Sequence, residues 1–270
     1  MHHIDEDNIT GAVIARHTAA GDARVRELMT SLVQHLHGFA RDIKLSEAEW
    51  AEGLRFLNEC GELRSDQRDE FQLLSDTLGL STLVTALNQR RPPGCTESTP
   101  AGPLHAAGPP LGSQGGDDCH VRGRVRALDG TPIAGAQVQI GQADADGSCS
   151  VSYPGGSLSG ADGRFQLKAR LAGPCTIARD GPVGRLLRAL GRHSWRPAHL
   201  HFMVSAAGWR PLVTQVFRRG DPYLESDAAF GARRSLVADW VRHGPGRAPD
   251  GGTSLAPFYT LDFDFVLDKA

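Results

Sequence analysis

Along the first ninety residues, apolar positions recur at steps of three and four, which is the period of an amphipathic helix. One apolar stripe lies between Val25 and Phe39. A second follows Ser46-Glu47-Ala48-Glu49, a capping box that opens a helix, and Gly61 is a plausible stop for that helix. A third helix is predicted from near Ser65 to about Ala86.

These three stripes are more apolar than three isolated helices require. The ordinary explanation is that these stripes pack on the rest of the chain. The more specific explanation is that they form a dimer interface. Their members are, in chain order, Val25, Leu28, Met29, Leu32, Leu36 and Phe39; Trp50, Leu54 and Leu57; and Phe71, Leu74, Leu78, Leu80, Leu83, Val84 and Leu87.

From His120 onward the alternation changes to period two, which is typical of β-strands with one buried face. Asp129-Gly130 marks a hairpin turn, and other Gly/Asp turns separate further short strands, so a sandwich or barrel is predicted. A helix is predicted at 232–241, and a closing strand at 258–267. A turn is predicted where Pro154 precedes two glycines. Strands are predicted within Val121–Val125, Ala136–Ile140, Phe165–Leu167, His199–Val204 and Leu212–Phe217.

The domain organisation follows from these shifts in pattern. The fold class is α+β: a helical N-terminal region over 1–90, a Pro- and Gly-rich linker over 91–117, and a β-rich region over 118–270 that forms a sandwich or barrel. No internal repeat is visible.

Composition and charge narrow the class of protein. A 270-residue chain with 40% hydrophobic and 22% charged residues is typical of a globular protein with a sizeable core. The net charge of -2 gives no electrostatic case for nucleic acid or membrane binding, and no apolar run is long enough to span a bilayer. The acidic N-terminus lacks an apolar signal core. Five cysteines without a C-x-x-C pair argue against a disulfide framework, so we expect a cytoplasmic protein with reduced thiols.

The most informative chemistry lies in His199-Leu200-His201. Side chains two residues apart on a strand point to the same face, so the two imidazoles converge and supply half of a metal site. Arg196 adds a fixed positive charge nearby. Without further context, two such histidines are more often ordinary strand residues than a ligand pair.

The context is a resemblance that runs over nearly the whole chain. The segments ARVRELMTSLVQHLHGFARDIKLSEAEW, QADADG, ARDGPVGRLL, GRHSWRPAHLHFMV and GDPYLESDAAFG resemble the intradiol ring-cleavage dioxygenases, and among them the hydroxyquinol branch. The resemblance implies that residues 118–270 form a mostly antiparallel β-sandwich catalytic domain and that the N-terminal helical region forms a homodimer. It also implies a non-haem Fe(III), held by two Tyr and two His, that opens catechol-type rings with O2.

A functional role known in the family can be assigned only to a residue of this sequence that matches the family's motif. His199 and His201 match the His ligands, Arg196 matches the Arg that steadies charge on the ring, and Gln215 matches a polar partner. Without the resemblance, Arg196 would be interpreted as a salt-bridge residue, Gln215 as a polar strand residue and Leu73 as an ordinary core residue. The positions that match the pocket lining are Leu73, Asp76, Gly102, Pro103, Leu104 and Ile177.

The chain departs from the family at both Tyr ligands. The matching positions are Cys149 and Cys175, and a Cys sulfur falls short of the Tyr oxygen position by roughly 3 Å. Tyr153 is the one spare tyrosine. Three outcomes stay open: a metal on two His plus water, a Cys2His2 site that favours zinc, or no metal. If they have no functional role, the two cysteines are small buried residues that fill space in the core.

The expected activity is intradiol cleavage of hydroxyquinol (benzene-1,2,4-triol) or a related catechol with O2, giving maleylacetate or a muconate. The alternatives are a catalytically silent relative that binds aromatics or serves as a scaffold, and a zinc protein. The expected partners are a small aromatic diol or triol, O2 and a second copy of the chain.

Overall fold

The computed structural model describes residues 3–65, 68–101, 104–105, 117–143 and 151–270. The chain divides into two compact units, Met1–Asn58 and Glu59–Ala270. In the described part of the chain, no helix has both the length and the apolar content that crossing a bilayer would need.

The first unit is helical. It contains Ile9–Arg16 (α1), a 3-10 turn at His17–Ala19, Ala23–Asp42 (α2) and most of Glu47–Glu62 (α3). The carboxylate of Asp22 accepts hydrogen bonds from the first-turn backbone of α2. The predicted capping box is confirmed, because Ser46 N donates to Glu49 Oε2 at 2.9 Å and Glu49 N donates to Ser46 Oγ at 3.3 Å. α1 was not predicted.

The apolar stripes of α2 and α3 lie largely in solvent. Leu36 is 55% exposed and Trp50 is 56% exposed, although both belong to the amphipathic pattern that predicts these helices. Within the described residues, these side chains are therefore about half exposed.

The predicted third helix is two helices, Glu70–Thr77 (α4) and Leu80–Asn88 (α5). The interruption falls at Leu78-Gly79, where Gly79 takes a left-handed φ of 74°. The prediction of one continuous helix was wrong because apolar spacing continues across the break, and it took no account of the glycine.

Two sheets make up most of the second unit. The first has the order Leu104–His105 (β1), Val151–Leu158 (β4), Gln137–Ala143 (β3), His199–Ser205 (β8), Leu212–Arg218 (β9) and Val237–Ala238 (β10). The second has the order Trp240–His243 (β11), Phe258–Asp262 (β14), Asp118–Ala127 (β2) and Phe265–Leu267 (β15), with Arg164–Arg170 (β5) also paired to β2. Short ladders join Cys175–Thr176 (β6) to Trp195–Arg196 (β7) and Gly246–Arg247 (β12) to Thr253–Ser254 (β13).

Most neighbouring strands run antiparallel, and the apolar faces of the two sheets share one core. Leu200, Phe202 and Val204 of β8 pack in the same cluster as Val121 and Val125 of β2. The predicted α+β class and the mostly antiparallel sandwich are therefore confirmed.

Three local predictions were wrong. Residues 232–241 form a 3-10 turn and the strands β10 and β11 in place of a helix. The predicted turn at Pro154 lies inside β4, whose pairing with β3 shifts register between Ile140 and Gln142. The single closing strand is β14 and β15, which both pair with β2. Pro182–Ala189 (α6) lies in the segment that carries the histidines and was not predicted.

A buried carboxylate joins α4 to α6. Glu70 is fully buried and accepts hydrogen bonds from Arg68 Nε at 2.9 Å and from Val183 N at 3.1 Å. Val183 lies in the first turn of α6, where unpaired backbone N–H groups and the helix dipole favour a negative charge. Arg68 also donates to Asp180 at 3.0 Å, just before that helix. Glu70 thus orders the segment that leads to β7 and β8.

We expect Glu70→Gln to lower the free energy of unfolding by about 2–4 kcal/mol, because it leaves Arg68 without its buried anionic partner. Urea unfolding followed by circular dichroism measures the loss. Glu62→Gln, at an exposed position of α3, is the matched control and should change stability by less than about 0.5 kcal/mol. Equal effects of the two substitutions would contradict the role of Glu70.

Candidate active site

The two histidines lie on the face of β8 that is turned away from the sandwich core. Leu200, Phe202 and Val204 enter the core, while His199 and His201 alternate with them on the opposite face. In the register with β9, His201 lies opposite Gln215 and His199 lies opposite Phe217. The period-two prediction for the histidines is confirmed.

The histidine pair is buried and closely spaced. His199 Nε2 and His201 Nε2 are 3.0 Å apart, and both residues are at most 2% exposed. Two nitrogens at about 2.1 Å from a common ion and at right angles to each other would be about 3.0 Å apart. The pair therefore has the spacing of two adjacent ligands.

Arg196 is held beside this pair by a carboxylate. Its Nε donates to Asp227 Oδ1 at 2.9 Å and its Nη2 donates to Asp227 Oδ2 at 3.1 Å, a bidentate pair in which both side chains are buried. The Nη1 atom of Arg196 lies 3.4 Å from His199 Nε2. The predicted neighbourhood of Arg196, His199 and His201 is thus present in the structure.

Asp227 is a site residue that the sequence reasoning missed. Besides Arg196, its carboxylate accepts backbone hydrogen bonds from Ala229 at 3.1 Å, Gly231 at 2.9 Å and Ala232 at 3.1 Å. A Cβ on Gly231 would lie 2.6 Å from Arg196 Nη2, so this position needs glycine. Asp227 lies in the segment GDPYLESDAAFG, where its polar neighbours give no sign that it is buried.

A directed chain of hydrogen bonds links these groups. Arg196 Nη2 donates to Gln215 Oε1 at 3.0 Å, so the amide nitrogen of Gln215 faces His201 Nδ1 at 3.3 Å. Because that amide nitrogen can only donate, His201 Nδ1 accepts, and the proton of His201 lies on Nε2. His201 then donates to His199 Nε2, and His199 Nδ1 donates to the Pro197 carbonyl at 2.7 Å.

Burial and charge set the protonation of the site. Burial, with the positive charge of Arg196, lowers the pKa of His199 from 6.5 to about 3, and burial with the neighbouring His199 holds the pKa of His201 well below its ordinary value. Burial alone would raise the pKa of Asp227. The charge and hydrogen bonds of Arg196 outweigh that effect and hold it at about 2. Both imidazoles are thus neutral and Asp227 is ionised near neutral pH.

The predicted pocket residues are partly brought together. Leu73 packs against the buried cluster of Ile177, Leu187 and Ala228. Asp76 is half-buried and accepts from Gln72 Nε2 at 2.8 Å; burial raises its pKa, and it lies close enough to Arg196 for the guanidinium to oppose that rise. Gly102 and Pro103 lie outside the described residues, as does the side chain of Leu104.

Of the two cysteines predicted as metal ligands, only Cys175 lies among the described residues. Cys175 is 2% exposed and pairs through its backbone with Arg196, so it lies at the site. Its sulfur is in a disulfide bond, which corrects the expectation that all thiols are reduced and means that this sulfur is not available as a thiolate ligand. Cys149 lies outside the described residues, and so does the side chain of Tyr153.

The described residues supply two ligands for a metal and not a complete set. Within those ranges, no group of three or more His, Cys, Asp and Glu side chains converges on one point. The spacing and the neutral state of the two imidazoles fit a metal ion, which His199 and His201 would hold.

Comparison with known proteins places this site in a family. A family model described as "Catechol dioxygenase N terminus" matches residues 22–96, and one described as "Dioxygenase" matches residues 99–269. The chain therefore belongs to the intradiol ring-cleavage dioxygenase family.

Several of the similar proteins are hydroxyquinol enzymes. A "6-chlorohydroxyquinol 1,2-dioxygenase" of Cupriavidus pinatubonensis is 51% identical, with 99% of each chain covered. A "Hydroxyquinol 1,2-dioxygenase" of Rhizobium sp. is 40% identical, covering 98% of this chain and 96% of that protein. The crystal structure of hydroxyquinol 1,2-dioxygenase from Pseudomonas putida DLL-E4 aligns with a TM-score of 0.89 at 36% identity, over 98% of this chain and 99% of that one.

We expect Asp227→Asn to destabilise the fold by about 3–5 kcal/mol, because it leaves the buried Arg196 charge without its carboxylate. Denaturant unfolding of the purified variant measures this. Asp239→Asn is the control, since Asp239 pairs with Arg219 in solvent and should contribute less than about 1 kcal/mol. Unchanged stability of Asp227→Asn would show that Arg196 does not depend on this partner.

Stability should also fall as the pH is lowered below 6.5. The unfolded imidazole of His199 binds a proton near pH 6.5, whereas the folded one does so only near pH 3. The contribution of neutral His199 is therefore fully present above pH 6.5 and is lost progressively as the pH falls toward 3. Urea midpoints between about pH 7.5 and pH 5 test this. The fall should shrink in His199→Gln and persist in His35→Gln, on the exposed face of α2.

Proposed function

We propose that this protein catalyses intradiol cleavage of hydroxyquinol or a closely related catechol with O2, giving maleylacetate or a muconate. The observation that carries the proposal is the buried His199–His201 pair, 3.0 Å apart, with Arg196 and Gln215 beside it, in a chain that matches hydroxyquinol enzymes over nearly its whole length. The fold alone would not distinguish substrates.

The proposed pocket has an apolar wall and a polar end. Leu73 and Ile177 offer apolar surface to an aromatic ring, while Arg196 offers a fixed positive charge to its oxygens. Asp76 is suited to accept a hydrogen bond from a third ring hydroxyl, since it is half-buried and lies near Arg196. That feature favours a triol over a simple catechol. Gly102, Pro103 and Leu104 complete the proposed lining.

Arg196 would orient and stabilise an anionic diol. Its Nε and Nη2 atoms are engaged by Asp227 and Gln215, so the guanidinium plane is fixed before substrate arrives. Its Nη1 faces the histidine pair at 3.4 Å. A diol that lost its protons on binding there would be drawn toward this charge, and the enclosed position of Arg196 limits screening by water.

Members of the family use a non-haem Fe(III). In this chain His199 and His201 would hold the metal, which would supply the activation of diol and O2 when bound. The proposed ligand set with Cys149 and Cys175 thiolates requires both sulfurs to be free, which the disulfide at Cys175 opposes. The same bond argues against the Cys2His2 zinc alternative.

A second candidate function is an aromatic-binding relative without ring cleavage. The disulfide at a Tyr-ligand position favours it, because a disulfide sulfur is neither an anionic ligand nor a base. The pocket of Leu73, Ile177 and Arg196 would serve either function, so turnover separates the two.

The proposed assembly is a homodimer that uses the N-terminal helices. The uncovered stripes of α2 and α3 support it, since Val25, Leu32, Leu36 and Phe39 line one helix and are all about half exposed in a single copy. The domain limits 1–90, 91–117 and 118–270 and a cytoplasmic location stay predictions.

Oxygen uptake tests the proposed function. Protein reduced with a dithiol, loaded with iron and freed of excess metal should consume O2 with hydroxyquinol and yield the ring-opened acid. Arg196→Lys should reduce kcat/KM by about 100-fold, because a point charge replaces the fixed planar donor. Arg219→Lys, at an exposed surface pair, is the matched control and should keep the full rate.

No O2 consumption above that of free iron, with hydroxyquinol binding retained, would reject ring cleavage and support the binding function. Equal rates for Arg196→Lys and Arg219→Lys would remove Arg196 from the proposed site.

A further inference from the structure

Arg192 lies between two elements that supply residues to the candidate site. One is α4, which carries Asp76, and the other is the loop 227–231, which carries Asp227. We propose that Arg192 is a positioning residue, which locks α4 to this loop and thereby fixes Asp76 relative to Arg196. The consequence for the choice of substrate rests on the proposed function.

The guanidinium of Arg192 joins the two elements directly. Its Nη1 donates to the Thr77 carbonyl at 2.7 Å, and its Nη2 donates to the Ala228 carbonyl at 3.1 Å. Thr77 is the last residue of α4, where backbone carbonyls lack partners within the helix and the helix dipole favours a positive charge. One planar cation therefore caps the helix and anchors the loop at the same time.

The ring of Phe230 completes this contact. The guanidinium carbon of Arg192 lies 4.7 Å from the centroid of the ring, within cation–π distance. Phe230 has a left-handed φ of 54°, which residues with a Cβ rarely adopt, and it is 48% exposed. Neither backbone preference nor burial accounts for a phenylalanine in this conformation. The contacts of its ring and carbonyl offset the strain, which marks the loop as a constrained element.

The junction between α4 and α5 holds the same loop. A Cβ on Gly79 would lie 3.5 Å from the ring of Phe230, so the ring packs beside this left-handed glycine. Thr82 Oγ1 of α5 donates to the Phe230 carbonyl at 3.3 Å and lies 3.4 Å from the carbonyl oxygen of Ala229. With Ala228, three consecutive carbonyls of the loop thus face donors outside it.

The anchored loop supports the carboxylate that holds Arg196. Asp227 accepts three backbone hydrogen bonds from residues 229–232, and its two oxygens bind the guanidinium of Arg196. The backbone N–H of Ala228 also donates to the Trp195 carbonyl at 3.1 Å. A shift of the loop would therefore move Asp227, and the guanidinium of Arg196 with it.

The other end of the connection is the last turn of α4. Asp76 precedes Thr77, whose carbonyl Arg192 binds. Burial raises the pKa of Asp76, and the charges of Arg196 and Asp227 also act on it, so these groups lie near one another. An anionic diol held by Arg196 can present a third hydroxyl to Asp76 only while the distance between these two side chains is fixed.

Hydrogen exchange tests the coupling without substrate or metal. The full-length wild type, Arg192→Lys and Arg188→Lys are labelled in D2O, and peptic fragments covering 73–79 and 227–232 are compared by mass spectrometry. We expect Arg192→Lys to exchange about tenfold faster in both fragments, because an ammonium group does not reproduce the planar fork that meets both carbonyls. Arg188→Lys is the matched control and should keep the wild-type rates, since Arg188 donates to the Arg179 carbonyl. Faster exchange in only one fragment, or in neither, would overturn the coupling.

Ligand preference tests the positioning. Anaerobic titration calorimetry of iron-loaded protein gives the Kd of hydroxyquinol and of catechol. We expect the wild type to prefer hydroxyquinol and Arg192→Lys to lose about tenfold of that preference, whereas Arg188→Lys keeps it. A loss of folded protein lowers the number of sites for both ligands equally, so a merely structural role would leave the ratio of the two Kd values unchanged. An unchanged ratio in Arg192→Lys would overturn the positioning role.

The proposed function fails in a different way. Anaerobic binding and hydrogen exchange do not require turnover, so an absence of O2 consumption rejects ring cleavage and leaves both measurements intact.

Should Arg192→Lys not fold, Phe230→Leu takes its place. Leucine keeps an apolar side chain on the same left-handed backbone but removes the aromatic face beside the guanidinium. Exchange should then rise about threefold in both fragments, and unchanged exchange would overturn the proposal.

Discussion

The arrangement of the candidate site depends on one buried ion pair, Arg196 with Asp227. A buried guanidinium is costly unless its charge and its N–H groups are all met. Asp227 meets two of those donors and also collects three backbone N–H groups from the loop that follows it. One carboxylate therefore fixes both the loop and the arginine, and the arginine in turn orients Gln215 and the histidines.

The spacing of the two histidines and the hydrogen bonding of their rings have different structural causes. Spacing comes from the backbone of β8, which places alternate side chains on one face whatever they bind. Protonation comes from Gln215, whose amide orientation Arg196 sets. Geometry and hydrogen bonding are thus controlled by different elements.

Much of the architecture could be predicted from the sequence because it depends on local periodicity. Helices α2 and α3, the strands of the core and the shared face of His199 and His201 all follow from spacing. The break at Gly79 and the short strands at 237–243 could not, because backbone geometry and tertiary pairing decide them. Asp227 and the bond at Cys175 were missed for a related reason: the burial of an acid and the formation of a disulfide are properties of the folded chain.

The two faces of β8 have an evolutionary consequence. Leu200, Phe202 and Val204 hold the sandwich together, while the histidines between them take no part in that core. Selection on folding and selection on chemistry therefore act on alternate residues of one strand. A lineage can therefore exchange the residues on the outer face of β8 without losing the scaffold.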